Sequence, residues 1–327
     1  MTVLLILFLA QQWEPAVVLS GHGAPIRDLA FSSEGTHLLS LSRANSTFLR
    51  DLGSGQEGLV PARESHIRAF AWSADGKRLA LSDTDHHVRV LGTSDGKISL
   101  DLVADPVQYL WFAADGTLLA TGGSKRGPGV QGRPRTTLWN LGADPGPVCE
   151  LLHDGELVSS AASRDGRFLA VGTSWGEVVA WDAKSGATVA ELKHGSHALA
   201  VAFSPDAAWL AAIDERLGVK VWSTEGWKEA ASLAHCEGQP YAYVAAIAFS
   251  PDGRWLAEGG GADERLNLWE TASWQKKWSA PLTAGINCIA FSPDGGRLAI
   301  GGEDGVVRLL RCDAGGEETS WTHPGGA

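Results

Sequence analysis

The stretch that decides the fold is Ile289-Ala-Phe-Ser-Pro-Asp-Gly-Gly-Arg-Leu-Ala299, because versions of it recur seven times along the 327 residues. The aromatic position of this phrase falls, with one replacement by alanine, at Phe31, Trp72, Phe112, Ala162, Phe203, Phe249 and Phe291. The successive separations are 41, 40, 50, 41, 46 and 42 residues. They bracket the roughly 40 to 45 residues of one four-stranded propeller blade. The repeat therefore predicts an all-β, seven-bladed β-propeller of four-stranded antiparallel blades.

The sixth unit shows how one blade forms. Large and small residues alternate in Ala246–Ser250, as a strand packed on both faces between neighbouring blades requires. Ser-Pro-Asp-Gly then predicts a tight turn, since Pro presets φ, Asp bonds to nearby backbone and Gly accepts a positive φ. Further strands are expected at Arg254–Glu258 and Arg265–Trp269, followed by a weaker outer strand. Such a sheet cannot bury its own faces, so blades must stack around a closed ring.

The two ends of the chain indicate how the ring closes. After Val306–Arg311 the sequence continues as a Gly-rich, acidic tail, whereas Pro15–Ser20 precedes the first unit and resembles an outer strand. We therefore expect an N-terminal strand to complete the seventh blade and leave no open sheet edge. The expected organisation is an apolar N-terminal segment at 1–12, the propeller at 13–315 and a flexible C-terminal tail at 316–327.

Charge and cysteine content narrow the class of partner. The formal net charge of −11 disfavours nucleic acid, which is bound largely by Lys and Arg, and favours a protein or peptide. The four cysteines show no metal-ligand spacing, which indicates free thiols and a cytoplasmic location.

The apolar residues 1–10 are too short to span a bilayer. They lack the charged region of a signal peptide, and export by a weak signal peptide ending near Ala10 is the alternative. We expect a monomeric ring.

Several residues at strand ends resemble the WD-repeat (β-transducin-like) family over about residues 15–312. Gly21-His22 matches the Gly-His that precedes strand A, counted from the ring centre outward as A to D. The family's hairpin Asp is matched at Asp85, Asp263 and Asp304, and its Trp-Asp signature at Trp139, Trp181, Trp222 and Trp269. The resemblance implies a buried hydrogen-bonded network of these His, Asp and Trp side chains that stiffens the blades.

The match to the family is incomplete. Trp181-Asp182 keeps the full dipeptide, while other blades replace the Trp by Arg50, Leu91 and Leu310 and the hairpin Asp by Ala44, Trp175 and Arg216. No blade is therefore expected to hold the whole network. The Ser-Pro-Asp-Gly phrase and the degenerate Trp-Asp resemble bacterial members of the family.

One face of such a propeller carries the loops from strand D to strand A and the hairpins from strand B to strand C. We call it the loop face, and departures from the repeat on it are candidate sites. The first departure is an insertion at 124–135, a basic loop on an acidic chain with cations at Lys125, Arg126, Arg133 and Arg135. It predicts docking to an acidic segment of a partner. A solvent-exposed surface loop is the alternative.

Two further departures from the repeat are a group of aromatic residues and the varied residues around the central opening. Trp175, Tyr241 and Tyr243 are candidates for exposed interface anchors, or they fill gaps left by missing network residues. The residue after the first apolar residue of strand A, here called the ring position, should point near the central opening. It is occupied by Arg27, Arg68, Gln108, Val158, Leu199, Ala245 and Asn287. The ring positions predict either partner contacts or ordinary solvation of the rim.

Signatures of catalysis are missing from the sequence. No Gly-x-Ser-x-Gly elbow, phosphate-binding loop or His-Glu-x-x-His helix occurs, and the histidines are scattered, so no cofactor and no metal are expected. The sequence predicts a non-enzymatic scaffold or adaptor that binds a protein or peptide through the loop face. The alternative is a propeller hydrolase or lactonase with a channel metal, which requires about three convergent Asp, Glu or His residues.

Overall fold

The regular structure of the chain is entirely β-strand wherever it is described. The computed structural model describes residues 17–19, 22–32, 34–44, 46–58, 67–73, 75–93, 96–104, 107–112, 116, 118–123, 135–142, 145–234, 242–243, 245–260, 264–282 and 284–312. Within these ranges, 28 strands form seven four-stranded antiparallel sheets. The sheets are the blades of a seven-bladed β-propeller, which confirms the predicted fold.

Each blade contributes one strand to each of four concentric layers. The innermost A strands are β2 (Ile26–Phe31), β6 (Ile67–Trp72), β10 (Tyr109–Phe112), β14 (Leu157–Ala162), β18 (Ala198–Phe203), β22 (Ala245–Phe249) and β26 (Ile286–Phe291). The B strands are β3 (His37–Ser42), β7 (Arg78–Asp83), β11 (Leu118–Gly123), β15 (Phe168–Thr173), β19 (Trp209–Asp214), β23 (Trp255–Gly260) and β27 (Arg297–Gly302). The C strands are β4 (Thr47–Asp51), β8 (His87–Gly92), β12 (Arg135–Asn140), β16 (Glu177–Asp182), β20 (Val219–Ser223), β24 (Arg265–Glu270) and β28 (Val307–Arg311). The outer D strands are β5 (Glu57–Gly58), β9 (Ile98–Val103), β13 (Gly146–Leu152), β17 (Thr188–Lys193), β21 (Lys228–Leu233), β25 (Gln275–Pro281) and β1 (Val17–Leu19).

The recurring phrase forms the turn between strands A and B, as predicted. Every aligned aromatic position, including Ala162, is the last residue of an A strand. In the sixth blade, Ser250 Oγ donates to Asp252 Oδ1 at 2.5 Å and accepts from the Trp255 N–H at 2.9 Å. Gly253 has a φ of 73°, a left-handed conformation that glycine adopts at little cost. The turn is thus closed by side-chain hydrogen bonds as well as by backbone.

The hydrophobic core is divided among the interfaces between blades. Each of seven buried clusters joins two adjacent blades, for example Leu41 of β3 with Ile67 and Phe70 of β6. A single blade therefore has no core of its own, and burial of apolar area requires both neighbours. This arrangement confirms that stacking around the ring holds the blades together.

The ring closes between the seventh and first blades through three kinds of contact. Strand β1 pairs antiparallel with β28, with Val18 opposite Arg308, which confirms closure by an N-terminal strand. Gly301 of β27 lies against Ile26 of β2, where a Cβ atom would come within 2.5 Å of Ile26 Cγ2. Asn287 Nδ2 of β26 donates to the Ile26 carbonyl at 2.9 Å. Packing and a buried hydrogen bond join the two blades directly, and the pairing of β1 with β28 holds the start of the chain on the seventh blade.

Removing residues 1–20 tests this closure. Loss of β1 exposes the edge of β28 and leaves the seventh blade with three strands, so we expect thermal unfolding about 10 °C lower. The reason is that a loss of a few kcal/mol shifts the Tm of a large domain by ~2–4 °C per kcal/mol. Calorimetry on the full chain and the truncated chain measures the effect. Removal of residues 316–327 is the control, and an unchanged Tm after removal of 1–20 would contradict closure by β1.

Candidate partner-binding site

Sheet register places the D-to-A loops and the B-to-C hairpins at the same end of each blade. Strands A and B are antiparallel, so the start of A lies beside the end of B, as where Ile26 pairs with Ser42. The Arg43 N–H of the first hairpin donates to the Pro25 carbonyl of the adjacent loop at 2.8 Å. The loop face predicted from the sequence is therefore one continuous end of the ring.

A central cavity of about 830 Å³ opens among the A strands. This volume lies within the ~300–1,000 Å³ that ligand sites usually occupy. All seven ring positions line it, together with Arg43 of the first B-to-C hairpin and Tyr243 of the sixth D-to-A loop. Their placement agrees with the expectation that they surround the opening, while their role in binding stays a prediction.

Strand irregularities explain why most ring positions reach the cavity. In five blades the pairing of strands A and B shifts by one residue, and the extra residue is the ring position: Arg27, Arg68, Val158, Leu199 and Asn287. Such β-bulges redirect side chains and are common beside functional sites. The repeat alignment predicted the ring positions, but it gave no sign of the bulges. The bulge also lets the next residue, such as Asp28, line the cavity.

The cavity has a polar side and an apolar side. Blades 7, 1, 2 and 3 contribute Asn287, Arg27, Arg68 and Gln108, whereas blades 4, 5 and 6 contribute Val158, Leu199 and Ala245. The two sides face each other across the opening, so a ligand there meets cations on one side and hydrocarbon on the other.

Asp28 is the sole carboxylate among the described residues that line the cavity. Its environment disfavours the charged form of the carboxyl. Burial raises the pKa of Asp28 to about 6, although the Leu29 N–H, which donates to its carboxylate at 2.9 Å, and the charge of Arg27 both act in the opposite direction. Tyr109 interacts with the same carboxylate and donates its hydroxyl to the Val158 carbonyl. Burial raises the pKa of Tyr109 to about 12. Asp28 is thus the cavity group that titrates near neutrality.

The basic loop is described only at its end. Lys125, Arg126 and Arg133 lie outside the described residues. Arg135 is the first residue of β12, so it belongs to a strand and not to the loop as the sequence suggested. Its guanidinium lies 2.8 Å from Glu150 of β13, because antiparallel pairing brings the two strands together. One of the four cations predicted to bind a partner therefore forms an ion pair within its own blade.

The candidate aromatic residues are exposed where they are described. The Trp175 side chain, at the tip of the fourth B-to-C hairpin, is 68% exposed, and Tyr243 is 94% exposed. Tyr241 lies outside the described residues. Neither Trp175 nor Tyr243 fills a buried gap. That they anchor a partner at the surface stays a prediction.

The predicted structural network is present in pieces. His22 is buried, and its Nδ1 and Nε2 each lie 2.7 Å from a serine hydroxyl, those of Ser46 and Ser40. Trp139 Nε1 donates to Thr121 Oγ1 at 2.9 Å, and Trp269 Nε1 donates to Glu258 Oε1 at 3.0 Å. In these blades a polar residue of strand B therefore receives the indole N–H.

The other predicted network residues are placed differently. Trp181 is buried against His153, with ring centroids 6.2 Å apart. Asp304 forms an ion pair with Arg308 on β28. Asp85 is exposed at its hairpin tip, and Asp263 lies outside the described residues.

In the second blade the buried carboxylate is that of Asp83. It lies at the end of β7, two residues before the predicted position. Asp83 accepts the Asp85 and His87 N–H groups at 2.9 Å and pairs with Arg89 at 2.6 Å. The strand end, and not the hairpin tip, therefore supplies the buried acid.

The fifth blade brings a His, an Asp and a Trp side chain together, with the Asp at a position that the sequence did not predict. Asp214, at the end of β19, accepts from Ser196 Oγ at 2.7 Å and lies 3.3 Å from His194 Nδ1. Trp222 packs edge-on against His194, with centroids 6.0 Å apart. The sequence pattern predicted this acid at the hairpin tip, where Arg216 stands. Asp83 shows the same two-residue offset, and the end of the apolar strand B was the signal that could have located both.

The Asp214 environment gives a stability prediction. Burial acts to raise the pKa of Asp214, but the neighbouring His194 imidazole and the hydrogen bonds from Ser196 Oγ and the Gly218 N–H outweigh it and lower the pKa to about 2. We expect Asp214→Ala to reduce the free energy of unfolding at neutral pH by about 2–4 kcal/mol, because it leaves the half-buried Ser196 hydroxyl and the Arg216 and Gly218 N–H groups without their acceptor. Urea unfolding measures this, with the exposed Asp85→Ala as the matched control. Equal, small effects of both substitutions would contradict the assignment.

Asp28 gives a prediction of opposite sign. Its pKa is about 6 in the folded chain against 3.8 when unperturbed, so the folded state holds the extra proton and stability falls as pH rises from about 4 to about 6. We expect Asp28→Asn to raise the free energy of unfolding by about 1–3 kcal/mol at pH 7 and hardly at all at pH 4. Urea titrations at both pH values measure this, with Asp85→Asn as the control. The same gain at both pH values would contradict the burial argument.

Neither a metal centre nor a membrane-spanning helix is found in the described part of the chain. No three His, Cys, Asp or Glu side chains of the described ranges gather closely enough to bind a metal ion. Within those ranges, no helix has the length and apolar character needed to cross a bilayer. The described cysteines Cys149, Cys288 and Cys312 form no disulfide, and Cys236 lies outside the described residues.

Comparison with known proteins agrees with the geometry of the blades. Residues 13–49, 230–270 and 274–310 match the family model WD40, described as "WD domain, G-beta repeat". Three segments of the chain are therefore similar to WD40 repeats. Two of the matched segments cover most of the sixth and seventh blades, and the first includes β1 and the start of the first blade.

Curated relatives match over about a third of the chain. Coronin-7 of Mus musculus is 32% identical over 119 residues, 34% of this chain and 13% of that protein. A subunit of chromatin assembly factor 1 from Gallus gallus is 23% identical over 97 residues, 29% of this chain and 17% of that protein. Coronin-7 of Rattus norvegicus is 31% identical over 119 residues, with 34% and 13% covered. The chain thus matches only a small part of each relative, and the resemblance to bacterial members stays a prediction.

Proposed function

We propose that this chain is a non-enzymatic scaffold that binds a protein or peptide partner through its loop face. The observation that carries the proposal is the open cavity of about 830 Å³, whose mouth is lined by seven ring positions of unlike chemistry. Identical blades would present one side chain seven times, whereas here charged, amide and apolar groups share the opening. Varied side chains on a rigid, closed scaffold suit recognition of one particular shape.

Exposed aromatic residues on the same face support the proposal. Trp175 and Tyr243 present large apolar surfaces to solvent, and tryptophan and tyrosine are enriched among the residues that dominate binding energy at protein interfaces. Their exposure has no evident role in the stability of the ring. The cations Lys125, Arg126 and Arg133 of residues 124–134 would add attraction for an acidic partner.

The hydrolase alternative has little support in the cavity. Among the described residues that line it, Asp28 is the sole carboxylate and no histidine is present, short of the three convergent ligands that a channel metal would need. We propose a cytoplasmic location for the scaffold, supported by the reduced state of Cys149 and Cys288.

Site-specific cross-linking tests the proposed face. A photo-crosslinking amino acid at position 175 should capture a specific partner from an extract of cells that contain the chain, because Trp175 is exposed on the loop face. The same amino acid at position 184, in an exposed turn on the opposite face, is the matched control. Mass spectrometry identifies the products. Equal capture from both positions, or none from 175, would contradict binding through the loop face.

Deleting residues 124–134 in the cross-linking variant tests the basic loop separately. We expect capture from position 175 to weaken, since three cations are removed while Arg135 keeps its place in β12. Unchanged capture would contradict a role of this loop in binding, and it would not contradict binding through the rest of the loop face.

A further inference from the structure

The mouth of the cavity carries a concentrated positive charge on an otherwise acidic chain. Arg27 and Arg68 occupy the ring positions of the adjacent strands β2 and β6, and Arg43 lies on the hairpin beside them. Among the described residues no ion pair joins any of these guanidinium groups to a carboxylate. The carboxyl of Asp28, the next residue along the chain, interacts electrostatically with Arg27. With a formal net charge of −11 on the whole chain, three arginines at one opening are a distinct local feature.

The opposite wall of the mouth is apolar. Val158 and Leu199 are bulged residues of the fourth and fifth blades, and Ala245 occupies the ring position of the sixth. Tyr243, two residues before Ala245, extends this wall on the loop face and is 94% exposed. Apolar surface of this kind stabilises a ligand in proportion to the area it removes from water.

We propose that this mouth binds an acidic peptide segment, with carboxylates on the arginines of the first and second blades and an apolar side chain against the fourth to sixth blades. The inference names the partner chemistry of the proposed function and rests on it. Guanidinium groups hold carboxylates in charge-assisted, often bidentate, hydrogen bonds. The apolar wall on the opposite side of the mouth disfavours ligands that carry negative charge but no apolar group.

Asp28 makes this binding sensitive to pH. The titratable or charged groups that face it are Arg27 on its own strand, Tyr109 from β10 and Cys288 from β26. Near neutral pH the ionised Asp28 offsets part of the positive charge of the mouth. As pH falls through about 6 the carboxyl becomes neutral, so an anionic segment should bind more tightly.

The test uses three fluorescein-labelled peptides of equal length and measures fluorescence anisotropy on the full chain. One peptide combines Glu and Leu, the second replaces Glu by Gln, and the third replaces Leu by Ser. We expect the Glu/Leu peptide to bind about tenfold more tightly than either of the others. The Arg27→Gln/Arg68→Gln double variant should lose about tenfold or more of that affinity. Lys77→Gln/Lys184→Gln, on exposed turns of the opposite face, should change nothing.

Controls keep the outcomes distinct. Thermal unfolding of both double variants checks that the ring is intact, and Asp28→Asn should abolish the tightening between about pH 7 and about pH 5. Equal binding of the Glu/Leu and Gln/Leu peptides would overturn the acidic assignment. Failure of all peptides, together with specific capture from position 175, would overturn this inference and leave the proposed function standing. Failure of both experiments would overturn both. A labelled single-stranded oligonucleotide that binds more tightly than the peptides, with the same arginine dependence, would replace the peptide by nucleic acid.

Discussion

The contact on which the rest of the structure depends is the junction between the seventh and first blades. Every other interface joins blades that follow each other in the chain, but this one joins residues 261 positions apart, where the Asn287 amide donates to the Ile26 carbonyl. Gly301 permits the close approach of Ile26, and β1 supplies the fourth strand. Since each hydrophobic cluster lies between two blades, an open junction would expose apolar surface on both sides and leave the ring without closure.

Closure also creates the candidate site. The A strands surround a cavity only because the ring is complete, and the junction brings Asn287 of the last blade beside Arg27 of the first. The bulges at the start of the A strands then direct unlike side chains into one opening. In strand A the backbone forms the sheet and the bulged side chains line the cavity, while the Asn287 side chain also forms the hydrogen bond at the junction.

Local chemistry made most of the fold predictable from the sequence. The Ser-Pro-Asp-Gly turn fixes where strand A ends and strand B begins, and the recurring interval counts the blades. The ring positions followed from the same alignment. The bulges could not be predicted, because an extra residue in one strand becomes visible only against its partner. Asp83 and Asp214 were missed because the family's acid was sought at the hairpin tip, whereas contacts of the strand end with His194 or Arg89 arise across strands.

Hydrogen–deuterium exchange of the native chain, followed by mass spectrometry, tests the central claim most directly. If the junction holds the ring as tightly as the interfaces within it, amides of β26 and β2 should exchange as slowly as those of β18 on the far side of the ring. Their protection should also be lost together as urea is added. Rapid exchange of β26 and β2 while β18 stays protected would show a ring that opens freely at this junction, and it would contradict the account.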